Sequence, residues 1–227
     1  VGRSNLAFLA GSIVGHYRTV ALTGLTTGMA ANAPIVAIRM APAAAQPSSI
    51  YLRALIQRLS IRAQVVTPFT AAQELSLSAF IARNWSAADT GGTVLTLTSP
   101  NAMLNSISDT APQLSIQVAG AGALTAGTRT LDANPFLYVA GAQTSAAASL
   151  TGPFGALADE FLINSDQEYG INLQGTLVPW QSLGNQFGPE GIVVQSNIAQ
   201  GAGGTVRVAV EIEWVEYNAQ TGPQVAG

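Results

Sequence analysis

The residue types that carry most enzyme chemistry are scarce in this chain of 227 residues: it has one histidine, His16, no cysteine, and nine basic residues that are all arginine. Without cysteine there is no disulfide, thiolate metal site or thiol nucleophile. A catalytic triad or histidine-based metal centre would have to use His16 alone, and neither HExxH nor GxSxG is present, so His16 reads as a solvated or packed side chain. The acids offer more. Asp159 with Glu160, and Asp166 with Glu168, flank a Phe-Leu-Ile segment, and a glycosidase needs two carboxylates about 5 to 9.5 Å apart. Asp166 and Glu168 are also of the type that ligates a hard cation such as calcium, but no EF-hand-like loop surrounds them, and a solvated loop explains all four acids more simply. The glycine runs at 120–127 and 201–204 resemble phosphate loops only in composition: neither follows a strand and opens a helix, and a Walker lysine is missing. They read as turns. Trp85, Trp180, Trp214, Phe187 and Tyr169 could form a sugar platform, but Trp85 and Trp214 fall in phase with core residues, which leaves Trp180 and Phe187, in a Pro- and Gly-rich loop, as candidates for contact with a ligand or partner. The expectation is no catalytic residue, no cofactor and no metal site.

The elements that must position these residues are strands. Residues 205–217, TVRVAVEIEWVEY, follow a period of two: Val206, Val208, Val210, Ile212 and Trp214 on one face, Arg207, Glu211 and Glu213 on the other, with Ala209 and Val215 among them. Thirteen residues at roughly 3.3 Å each would span about 43 Å, so this strand is expected to cross a whole sheet near its middle. Glu211 and Glu213 on one face, with Arg207 near, predict a face that is wet or paired with arginines on a neighbour, since like charges are costly when buried. Glu216, on the other side near the strand end, reads as a surface or interface group.

Further strands are expected at 16–22, 35–40, the second half of 50–66, 74–85, 94–98, 114–118, 128–131, 169–178 and 192–198. Prolines 42 and 47 bracket an Ala-rich loop. The strand at 74–85 is expected to pair with the one before it through the PFTAAQ corner, and 192–198 to form a hairpin with 205–217 across AQGAGG. Helical turns are expected at 70–73, with Thr70 capping, at 101–110 and at 154–162, and a loop or interface arm at 140–153. Strands at this spacing without a βα alternation predict an all-β, antiparallel β-sandwich, jelly-roll-like, with long loops and one or two short helical turns. No internal repeat or linker divides the chain, so one domain over 1–227 is expected, with a short N-terminal arm and a loose C-terminal tail.

Composition bears on partners. Apolar residues make up 48 % of the chain and charged residues 9 %, against about 25 % charged in an average soluble domain. Such an exterior is expected to be buried in large part against other chains, because extended apolar patches seldom stay bare on monomers. The net charge is -3 and the arginines are scattered, the nearest set being Arg53, Arg58 and Arg62, so nucleic acid is not an expected partner. The apolar stretch near the start is too short to span a bilayer, and no membrane partner is expected.

Three stretches, HYRTVALTGLTTGMAANAPIVAIRM, LSIRAQVVTPFTAAQELSLSAFIARNWSAADTGGT and VRVAVEIEWVEY, together resemble a family of small structural proteins of tailed bacteriophages, similar to capsid decoration, or cement, proteins. The resemblance covers most of the chain and leaves out 140–153. It implies a β-rich oligomer, a homotrimer by preference, on the outer surface of the capsid, bound to the major capsid protein. Arg53, Arg58 and Arg62 would then meet acidic capsid groups, arginine being suited to interface pairs, and Arg207, Glu211 and Glu213 would form a polar sheet face open to a neighbour. The alternative is a carbohydrate-binding tail or spike module built on Trp180 and Phe187. A glycosidase using Asp159, Glu160, Asp166 and Glu168 ranks third.

Overall fold

A computed structural model describes residues 13–40, 52–98, 112–143, 156–162, 176–177 and 190–218. They form twelve strands: β1 (Ile13–Leu22), β2 (Pro34–Met40), β3 (Leu52–Thr67), β4 (Gln73–Arg83), β5 (Thr93–Val94), β6 (Leu114–Val118), β7 (Thr130–Leu131), β8 (Leu137–Gln143), β9 (Ala156–Leu162), β10 (Thr176–Leu177), β11 (Gly191–Ser196) and β12 (Thr205–Asn218). There is no helix among the described residues. The first sheet runs β1-β12-β3, with β9 and β10 both on the far side of β3. The second runs β5-β6-β2-β11-β4, with β8 and β7 both on the far side of β4. Every pairing is antiparallel. The protein is an all-β sandwich, as the strand pattern predicts.

Its connectivity is nested. β1 lies against β12, β2 against β11, β3 against β9 and β4 against β8, while β1 to β4 alternate between the sheets. Two expected pairings fail for this reason. β3 and β4 do not form a hairpin through 68–72, and β11 and β12 do not form one through 197–204; each pair is split between sheets. Both connections are corners, and they support each other. Thr70 N–H donates to Ala202 O at 3.2 Å, and Gly201 N–H donates to Gln73 Oε1 at 2.8 Å. Phe69 is buried beneath them, so close that a Cβ on Gly204 would lie 2.1 Å from its ring. The helical turn expected at 70–73 is therefore a strand-to-strand corner, where the Thr70 hydroxyl donates to Ala202 O instead of capping a helix.

Other expectations are corrected by pairing partners far away in sequence. Residues 154–162 have apolar spacing compatible with a helix, but 156–162 form β9, because the edge of β3 offers seven consecutive register partners from Arg58 to Gln64. The loop expected at 140–153 begins too early: Ala140 to Gln143 complete β8, held against β4. The strand expected at 94–98 shortens to Thr93–Val94, and that at 128–131 to Thr130–Leu131. The turn expected at 101–110 and most of the strand expected at 169–178 lie outside the described residues.

One hydrophobic cluster draws on both sheets: Tyr17, Leu59, Ile61, Val208, Ile212 and Trp214 from the first, Ile38, Ile81, Ile116 and Val194 from the second. The inward residues of β12 pack as their period requires, and the Trp214 ring stacks on Tyr17 with centroids 5.5 Å apart. At about 25 cal/mol per Å² this buried apolar area dominates the stabilisation of the fold.

Candidate interaction face

The outer face of the first sheet carries most of the polar residues singled out in the sequence. Pairing of β12 between β1 and β3 sets rows across it: Arg18, Glu213 and Arg58; Val20, Glu211 and Ser60; Leu22, Ala209 and Arg62. Beyond them Arg207 lies opposite Gln64. Period two alone puts Arg58 and Arg62 on this face. Arg53 joins them in register, opposite Tyr217, because the extra residue Gln57 shifts the pairing of β3 by one.

Within the face the two glutamates find partners in the same chain. His16 Nε2 meets Glu213 Oε1 at 2.9 Å, Arg18 pairs with Glu211, and Arg58 Nη1 is 3.5 Å from Glu211 Oε1. Arginines on both neighbouring strands thus offset the charge of Glu211, while Glu213 is held by His16. Such partly exposed pairs each contribute about 0–1 kcal/mol and mainly fix geometry. Arg62 and Arg207 are exposed at the other end of the face. Trp180 and Phe187 lie outside the described residues, as do Asp166 and Glu168, and Asp159 and Glu160 take register positions on β9 opposite Ile61 and Ser60.

Glu216 corrects the reading of it as a surface group. Its even position continues the inward row of Trp214, and it is fully buried. Oε1 accepts from Gln113 N–H at 2.8 Å, Leu114 N–H at 3.2 Å and the Trp214 indole N–H at 3.0 Å, tying the end of β12 to the start of β6 in the opposite sheet. Burial pushes its carboxyl pKa up, partly offset by those hydrogen bonds. The parity of position 216 was the available signal.

Two ionic clusters escaped the sequence reading. Arg83, in phase with the core residues of β4, is met by Asp132, whose Oδ1 is 2.7 Å from Nε, and by Glu190, whose Oε1 is 2.7 Å from Nη1. The Asp132 carboxylate raises the pKa of Arg83 further, and burial opposes it. Arg129 pairs with buried Asp89 and lies over the Trp85 ring at 4.7 Å, with burial lowering its pKa to about 10. A charged residue in phase with apolar neighbours signals that a counter-charge must exist; its identity is set by residues some 40 to 107 positions away.

Fold and face together define an all-β protein of two antiparallel sheets, with a charged and partly apolar exterior on the first. Compared with known protein families and curated proteins, the chain matches no family model and no curated protein.

Proposed function

We propose that this chain is a non-enzymatic structural protein of a bacteriophage virion, which decorates and stabilises the capsid shell by burying surface against protein partners. The nested strand order carries the reading: first strand beside last, β2 beside β11, β3 beside β9, β4 beside β8. We read that order as a jelly roll, an architecture used by viral capsid and lectin domains. The scarcity of charge, 9 % of residues, supports a surface made for protein contact, and the three stretches resembling phage structural proteins support the virion as its setting. The partner in this reading is the major capsid protein, and the assembled form is a homotrimer on the outer surface of the shell.

Electron microscopy of the virion tests the proposal. The expected result is density for this chain on the outer shell surface, in groups of three, with particles lacking the chain less resistant to heating. Density confined to the tail would overturn the capsid placement. Lectin domains share the architecture, so a glycan array probed with the assembled protein separates the two: no binding is expected, and binding abolished by Trp180→Ala would move the function to carbohydrate recognition.

A further inference from the structure

Two exposed surfaces on opposite faces of the sandwich complement each other. On the outer face of the first sheet, Val20 and Leu22 are 52 % and 49 % exposed, and Leu22 shares a row with Ala209 and Arg62. Arg207 lies two positions before Ala209 on β12. Arg62 and Arg207 are exposed and have no hydrogen-bond or ion-pair partner among the described residues, whereas Arg18, Arg58, Arg83 and Arg129 each face a carboxylate. On the outer face of the second sheet, Glu74 of β4 is exposed, and the phenol of Tyr138 on β8 reaches its Oε1 at 3.4 Å. Tyr138 is 50 % exposed, and its neighbours Leu137 and Val139 turn inward. Glu74 faces no cation among the described residues, while Asp89, Asp132, Glu190, Glu211 and Glu213 each meet an arginine or histidine.

We propose that these surfaces join successive copies of the chain: Arg62 and Arg207 of one copy take Glu74 of the next, and Val20 and Leu22 cover its Tyr138 ring. The inference rests on the structural role proposed above and names a second copy as the partner of the first-sheet face. Charge complementarity favours that occupant, and an arginine–tyrosine–leucine contact has the composition of an interface centre, since arginine can stack on the phenol while pairing with the carboxylate. Because the surfaces lie on opposite faces, the contact is head-to-tail, and it closes into a ring when the rotation between copies permits.

The absence of cysteine makes the test direct. Leu22→Cys and Tyr138→Cys variants, prepared separately and checked for native β-sheet circular dichroism, are mixed on the assembled particle or at high concentration and oxidised. A disulfide-linked dimer formed only in the mixture is expected. No cross-link in the mixture, or one formed as readily by Leu22→Cys alone, overturns the head-to-tail contact. Combining Arg62→Glu with Arg207→Glu should weaken self-association at least tenfold, and supplying Glu74→Arg in the same chain should restore most of it; loss without restoration counts against the pairing. If the chain is found in virions by mass spectrometry but the mixture fails to cross-link there, this contact fails while the virion role stands. Absence from virions removes that role, and a cross-link formed in solution still supports the contact.

Discussion

Glu216 shows how a single side chain can report on the whole fold. Burial raises its pKa, so folding favours the protonated form. The stability this gives is complete below the ordinary carboxylate value of about 4.3 and is lost as pH rises through the raised folded value. Glu216→Gln keeps an acceptor for the two backbone donors and the indole, and it does not ionise. Thermal melts from pH 4 to 9 should therefore show the variant gaining on the wild type as pH rises; a constant difference would refute the assignment. Glu216→Ala leaves those three donors without their acceptor and should cost about 1–3 kcal/mol at low pH, the deficit shrinking as pH rises and the wild-type carboxyl ionises. The Asp89–Arg129 pair behaves differently, because both partners are deeply buried. Arg129→Met strands the carboxylate and should cost about 3–5 kcal/mol, with Asp89→Leu added to it recovering part of the loss in urea unfolding. The position of Arg83 and the parity of Glu216 were legible in the sequence; their partners Asp132, Glu190, Gln113 and Leu114 were not, since local pattern says nothing about which distant segment arrives opposite.

At the scale of elements, alternation located β1, β2, β4, β6, β11 and β12 to within a few residues, since each buries a face and a slip of one residue would expose it. It failed where a strand is defined by its partner. Strand β9 takes its form from the edge of β3, and β8 from the edge of β4. The corners also escaped notice: AQGAGG has hairpin composition, yet it crosses between sheets. Its geometry depends on the close approach of Gly204 to Phe69. Gly204→Ala should destabilise the protein by about 1–3 kcal/mol through overpacking, and Phe69→Leu should relieve part of that penalty in the double variant, whereas on its own it should destabilise. Additive losses in chemical denaturation would show that the two corners are not in contact.

For the whole molecule, the decisive feature is that the ends of the fold meet: Leu22 is in register with Ala209, and Ile13 with Tyr217. Nearly every stabilising contact therefore closes a long loop, and folding should take milliseconds to seconds. A chain shortened to begin at residue 23 lacks β1, bares one edge of β12 and removes Tyr17 from Trp214. It should show no cooperative thermal transition, followed by tryptophan fluorescence and near-ultraviolet circular dichroism; a sharp transition like that of the full chain would mean that β1 is dispensable. The nested closure also presents the two outer faces on opposite sides of one body, as the proposed head-to-tail contact requires.

By itself, the sequence determined the strand class, the inward face of β12 and the sharing of charges on its outward face, because side-chain period is a local property of an extended backbone. The tertiary structure alone decided which strands share a sheet, why Arg53 comes into register with Arg58 and Arg62, and which carboxylates are paired within the chain. The physical reason is that a strand leaves its hydrogen bonds unsatisfied at both edges, and the segment that satisfies them is chosen by packing of the whole chain rather than by nearness in sequence.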